Sequence, residues 1–164
     1  MIDFHTVYER HAGDLRRFAR YLTGNPALAD DLVADAFVRL WTAEGEIRAA
    51  TVRAYLMAIV RNLYLNSRRR AARDVPLDDT HVVADVAASI DARIEQRELV
   101  ARVREVLASF AEVDRSALLL RALHEMPYEE IARVLDVSVA AAKVKVHRAR
   151  LRLAAAISRE QVLS

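Results

Sequence analysis

Apolar residues recur at helical spacing along most of this chain. From Phe4 to Leu22, the positions Phe4, Val7, Tyr8, Leu15, Phe18, Ala19 and Leu22 share one side of a helix, and Gly24-Asn25-Pro26 ends it. A second helix is predicted from about Ala27 to Thr42, with Leu28, Leu32, Ala36, Val38, Leu40 and Trp41 apolar. Ala43 to Ala50 (AEGEIRAA) reads as a loop around Gly45. A third, longer helix follows from about Thr51 through Ala72, burying Tyr55, Leu56, Ile59, Val60 and Leu63 with Leu65 at its margin, and ending in an arginine cluster. Residues 74–88 (DVPLDDTHVVADVAA) hold Pro76, adjacent acids and no sustained period, which marks a linker.

A helix resumes from Ser89, with Ile90, Ile94, Leu99, Val103, Val106, Leu107 and Phe110 as its apolar positions. Asp114 is placed to cap the next helix, Arg115 to His124, and Pro127 opens a two-helix unit. Tyr128 to Val137 puts Ile131, Ala132 and Leu135 on one face, and Asp136-Val137 makes a turn. Ser138 stands where an N-cap is wanted, and Ala142, Val146, Ala149 and Leu153 then line one stripe of the following helix. Small alanines on that stripe allow close helix approach. The expected fold is all-α: two small bundles, residues 1–73 and 89–164, joined by the linker at 74–88.

Composition agrees with that reading and narrows the chemistry. Hydrophobic residues make up 54% of the 164, against three glycines and three prolines, which favours helices over turn-rich sheets. The absence of cysteine excludes disulfides, a thiolate nucleophile and a Cys-ligated zinc. No apolar run approaches the roughly 18 residues of a membrane span, and Met1-Ile2-Asp3-Phe4 begins no signal peptide, so a cytoplasmic location without membrane insertion is expected. Net charge is only +2, but it divides as +4 over residues 1–73, −5 over 74–98 and +3 over 99–164. Two basic modules flanking an acidic connector suit a long polyanion gripped at two places. The five histidines (His5, His11, His81, His124, His147) lack zinc-binding spacing, and neither a Gly-rich phosphate loop nor a nucleophile with its base is present. No enzymatic activity, catalytic residue, metal site or cofactor is therefore expected.

The last quarter carries the sharpest signal. Lys143, Lys145, Arg148, Arg150 and Arg152 occupy the flanks and far side of a helix with no acid among residues 138–153. Two short helices, a tight turn and a cationic second helix make a helix-turn-helix, whose second helix enters the DNA major groove.

Four motifs, two of them in this last quarter, together resemble a known family. The motifs are Ala29 to Trp41 (ADDLVADAFVRLW), Arg53-Ala54-Tyr55-Leu56 with Arg61-Asn62-Leu63, Tyr128-Glu129-Glu130-Ile131-Ala132, and His147-Arg148-Ala149-Arg150. In this order they look like regions 2 and 4 of a bacterial sigma factor, and the chain's size looks like the extracytoplasmic-function (ECF) group. The resemblance implies a core-polymerase surface at Asp30, Asp31, Leu32, Asp35 and Phe37, facing the basic clamp helices of the β′ subunit. Three carboxylates beside apolar groups suit such a coiled coil. It implies recognition and opening of the minus-ten element by Arg48, Arg61, Asn62, Asn66, Arg68, Arg69 and Arg70, where exposed bases need polar surfaces and the displaced strand needs cations. It implies reading of the minus-thirty-five element by Ser138, Ala141, Lys143, Val144, Lys145, His147, Arg148 and Arg150. The second bundle would also meet the β flap, the acidic linker would follow the RNA exit path, and an anti-sigma factor is an implied partner.

Two departures from the family pattern stand out. Ile47 occupies a loop that often offers an aromatic residue. In the recognition helix, Ala140-Ala141-Ala142-Lys143-Val144-Lys145 stands where relatives commonly show Gly-Thr-Val-Lys-Ser-Arg, and Asp136 replaces a usual turn glycine. Val144 is then expected to pack on a thymine methyl while Lys143 and Arg148 contact phosphate or guanine. Two other readings stay open on the sequence: a dimeric helix-turn-helix regulator, and a sigma mimic that titrates an anti-sigma factor without binding DNA.

Overall fold

The computed structural model describes residues 3–44, 48, 51–73 and 93–163. The linker at 74–88, the proposed helix start at Ser89, and Ile47 with most of its loop lie outside the described residues. Among those described, seven helices follow in order: α1 Phe4–Thr23, α2 Pro26–Thr42, α3 Val52–Arg73, α4 Arg93–Ala108, α5 Glu112–Ala122, α6 Tyr128–Leu135 and α7 Val139–Leu163.

Local chemistry sets most of the boundaries. Gly24 takes the left-handed conformation at φ 67° and its N–H donates to the Arg20 carbonyl, ending α1. Asn25 then accepts from the Leu28 N–H at 3.1 Å, and Pro26 occupies the first turn of α2, where its missing N–H costs nothing. The α5 boundary differs from the sequence expectation. Asp114 is not the cap: α5 begins at Glu112, with Ala111 as an N-cap lacking a side-chain bond, and both acids lie in the first turn. There they face the positive helix end, and the Asp114 and Arg115 N–H groups both donate to the Ala111 carbonyl.

In the first bundle the core is built from Leu15, Phe18, Ala19 and Leu22 of α1, Ala29 and Ala36 of α2, and Leu56, Met57 and Val60 of α3. In the second it is built from Leu107, Phe110, Leu120, Met126, Ile131, Ala142, Val146 and Ala149. The stripe expected on α7 is thus the buried one, with Leu153 partly covered at its end. Several apolar positions of the predicted helices are exposed. Val38 and Trp41 are 60% and 68% exposed, off the stripe of α2 that buries Leu32, Val33, Ala36 and Phe37, and Tyr55 of α3 is 39% exposed. Leu99 likewise faces outward.

The bundles also pack against each other, α3 against α6 and α1 against α5. Polar contacts cross this seam beside the apolar ones. The Arg61 guanidinium of α3 meets the Glu112 carboxylate of α5 at 2.6 and 3.0 Å, Arg115 of α5 donates to the Tyr64 hydroxyl at 3.2 Å, and Arg104 lies 5.1 Å from the centre of the Tyr21 ring. His124 packs edge-on to Phe18 with ring centres 6.1 Å apart, and its Nε2 has no hydrogen-bond partner among the described residues.

Burial pushes the His124 imidazole down to about 4 from an ordinary 6.5, with Asp14 opposing the fall and Arg53 and Arg17 adding to it. An unfolded chain takes up this proton near pH 6.5 and the folded chain only near 4, so stability is lost as pH falls through that window. At 1.36 kcal/mol per unit the loss at pH 4 is on the order of 3 kcal/mol. Melting curves should show this extra acid sensitivity in the wild type and lack it in His124→Gln; equal slopes would place the imidazole in water.

Candidate nucleic-acid and polymerase interfaces

Exposed sides of α2, α3 and α7 carry most of the candidate binding residues. On α2, Asp31, Asp35 and Val38 follow one another at helical spacing along the outer side, with Asp30 and Trp41 at its margins. Asp30 is paired with Arg20 of α1 at 3.7 Å, both half-exposed. Trp41 is not loose: it meets Phe4 edge-on at 4.5 Å, and behind it Phe4 stacks on Tyr8 while Phe37 lies edge-on to Phe4 and tilted to Tyr8. Leu32 and Phe37, expected on this surface, are instead core residues at 5% and 3% exposure. The exposed apolar residues of the face are Val38 and Trp41. Their spacing from Asp31 and Asp35 was the available signal.

On α3, Asn62, Asn66, Arg69 and Arg70 lie exposed along one side. Arg68 is exposed but leans over the Tyr64 ring at 5.7 Å, and Arg48 precedes the helix, exposed, with its carbonyl accepting from the Thr51 N–H and hydroxyl. Arg61 departs from this set. Its side chain is 12% exposed and committed to Glu112 and the Val134 carbonyl, so this arrangement of the chain hides it from any nucleic acid.

The third face is the outer side of α7. Asp136 accepts a left-handed conformation at φ 56° without being glycine, and its N–H serves the carbonyls that end α6. The Val137 N–H then donates to the Ala132 carbonyl at 3.0 Å, and the Ser138 hydroxyl accepts from the Ala141 N–H at 3.1 Å. These bonds fix the angle at which α7 leaves the turn. Lys143, Val144, His147, Arg148 and Arg150 are exposed, Ala141 and Lys145 half-buried. Val144, 46% exposed, stands among the cations, while Lys143 and Arg121 both approach the Tyr128 ring, at 5.8 and 4.5 Å. A helix end that is buried on one stripe and cationic on the other is the geometry of a recognition helix.

Comparison with known proteins gives one family match in each bundle. The Sigma-70 region 2 family matches residues 7–74, and the Sigma-70 region 4 family matches residues 101–153. The chain is 32% identical over 154 residues to the ECF RNA polymerase sigma factor SigM of Mycobacterium tuberculosis, covering 92% of this chain and 75% of that one. It is 25% identical over 153 residues to the ECF sigma factor SigM of Bacillus subtilis, covering 93% and 94%. Among solved structures, the sigma factor RpoE of Bartonella quintana, in complex with the anti-sigma factor NepR, superposes with a TM-score of 0.72 at 23% identity over 95% of this chain and 97% of that one. CnrH in complex with the cytosolic domain of CnrY gives 0.68 at 27%, over 95% and 88%.

The chain therefore belongs to the ECF sigma factors of the sigma-70 family. Such a protein is an initiation subunit: it binds core RNA polymerase and directs it to promoters, its region 4 contacting DNA. No helix among the described residues is long and apolar enough to cross a membrane.

The turn geometry yields a direct test. Ser138→Ala removes the cap of α7 and should cost about 1 kcal/mol, read as a lower melting temperature, with Ser138→Thr close to wild type. A melting temperature untouched by alanine would show that α7 does not depend on this hydroxyl.

Proposed function

We propose that the work of initiation is divided among the three faces as follows. Residues 1–73 bind core polymerase and open the minus-ten element, residues 74–88 connect, and residues 89–164 read the minus-thirty-five element and meet the β flap. The supporting observation is that one chain presents an acidic-apolar face on α2, a polar and cationic face on α3 and a cationic recognition face on α7, each exposed and each on a different helix.

On α2 the contact with the β′ clamp helices is made by Asp31 and Asp35 with Val38 and Trp41 beside them, and by Asp30 after exchange of Arg20 for a polymerase cation. Leu32 and Phe37 support this face from beneath. Carboxylates steer the encounter with a basic coiled coil, and the indole supplies the apolar area that holds it. On α3, Asn62 and Asn66 meet unpaired bases while Arg48, Arg68, Arg69 and Arg70 hold the strand backbone. On α7, Val144 rests on a thymine methyl, Lys143, Lys145, His147, Arg148 and Arg150 meet phosphate or guanine, and Ser138 with Ala141 sets the depth of the helix in the groove. The protein acts in the cytoplasm, where its polymerase is, and performs no covalent chemistry. An anti-sigma factor is its regulator, as RpoE of Bartonella quintana is held by NepR and CnrH by CnrY.

Purified chain added to core polymerase should give transcripts from a promoter library. A regulator or a sigma mimic would give none. Trp41→Ala and the pair Asp31→Asn/Asp35→Asn should each weaken core association at least tenfold, equivalent to 1.4 kcal/mol, while leaving helicity unchanged; full association by both variants would move the docking face elsewhere.

Selection of minus-thirty-five sequences with Val144→Ser should weaken the preference for thymine at one position. An identical sequence preference at every position would remove Val144 from base reading.

A further inference from the structure

Tyr128 opens α6, the first helix of the helix-turn-helix, and its half-buried ring packs at the edge of the second core. Two cations from other helices lie against it. The Arg121 guanidinium of α5 stands 4.5 Å from the ring centre, and the Lys143 ammonium of α7 stands 5.8 Å from it. Arg121 is tied down: its Nη1 donates to the Met126 carbonyl at 3.1 Å, and Met126 is fully buried with its own N–H bonded to the Leu120 carbonyl. Lys143 is exposed. Among the described residues neither cation has a carboxylate within ion-pair distance. One ring on α6 therefore gathers a charge from α5 and a charge from α7.

The face of an aromatic ring carries negative potential, so it attracts both cations without neutralising either. A carboxylate in the same place would cancel their charge, whereas a tyrosine leaves that charge for a ligand. The lysine stem is long and freely rotating, and fixing such a side chain only when DNA arrives costs affinity. A ring that holds the ammonium beforehand lowers that cost. Position follows from the fold. In a helix-turn-helix the second helix lies in the major groove while the first crosses the strand backbone. Lys143 belongs to the second helix, but the ring that holds it belongs to the first. Val144 stands about 100° further around α7 and is 46% exposed.

We propose that Tyr128 is a positioning residue for promoter binding: its ring holds the Lys143 ammonium at the edge of the groove, where it meets a phosphate of the minus-thirty-five element and reads no base. This role rests on α7 being the recognition helix, and it divides two neighbouring residues between two tasks. Lys143 supplies a grip that is blind to sequence, and Val144 supplies the apolar contact to a base. The ring acts through its face, so the phenol hydroxyl is dispensable.

Holoenzyme reconstituted from the full-length chain and core polymerase tests this on promoter DNA across a salt series. Lys143→Met keeps an unbranched stem and removes the charge. It should weaken every minus-thirty-five sequence by the same factor and lower the slope of log affinity against log salt by roughly 0.9, the share of one phosphate. Tyr128→Leu should weaken binding about two- to fivefold, the worth of a cation on an exposed ring, while Tyr128→Phe should match the wild type. In the Lys143→Met background Tyr128→Leu should cost nothing further. A ring that only supports the fold would lower affinity equally in both backgrounds, and that additive result overturns the proposal. So does a Tyr128→Phe chain as weak as Tyr128→Leu, or a Lys143→Met chain whose base preference changes at any position. A Lys143→Met chain that binds as the wild type does, with the same salt slope, also overturns it; the reading of α7 itself falls only if Arg148→Met is equally silent.

Discussion

Every helix in this protein is constrained to spend one stripe on a core, and the functional faces are what that constraint leaves over. Phe18, Leu56 and Val60 in the first bundle and Ile131, Ala142 and Val146 in the second are essentially without solvent contact. Each bundle is small enough that few other side chains could replace them. Once these residues are inward, the angle of about 100° per residue decides the rest. Asp31, Asp35 and Val38 must face out of α2, Asn62 and Asn66 out of α3, and Val144 with Arg148 out of α7. The electrostatic character of each surface follows from the packing of the residues behind it.

Much of this was legible in the chain. Gly24-Asn25-Pro26 marks a helix stop, cap and restart because each residue has a different local reason to be there, and the observed φ of 67° and the Asn25 cap use those reasons. Ser138 and the alanine-rich stripe of α7 were equally readable, since both depend on neighbours within four residues. Local signals failed where two of them competed. At the start of α5, Asp114 looked like a cap, but Glu112 two residues earlier lies in the first turn as well, and its carboxylate is drawn to Arg61.

The candidate surfaces were harder, for a different reason. Periodicity shows that Leu32, Phe37, Val38 and Trp41 are all apolar; it does not show how many neighbours α2 has. Packed against α1 and α3, α2 buries the first two and exposes the other two. Tyr55 failed in the same way. Arg61 shows the limit most clearly, because its partner lies 51 positions along the chain in another bundle and nothing in either local sequence announces the pair.

Trp41 is the only tryptophan in the chain, and it stands more than half uncovered against Phe4 at the edge of α2. An indole in water emits at longer wavelength than one enclosed by protein, and a nearby phenylalanine does not obscure it. The molecule thus carries its own optical probe on the face assigned to polymerase. A blue shift on mixing with an unlabelled, tryptophan-free fragment of the clamp would record contact at this spot in real time, with no dye to disturb it.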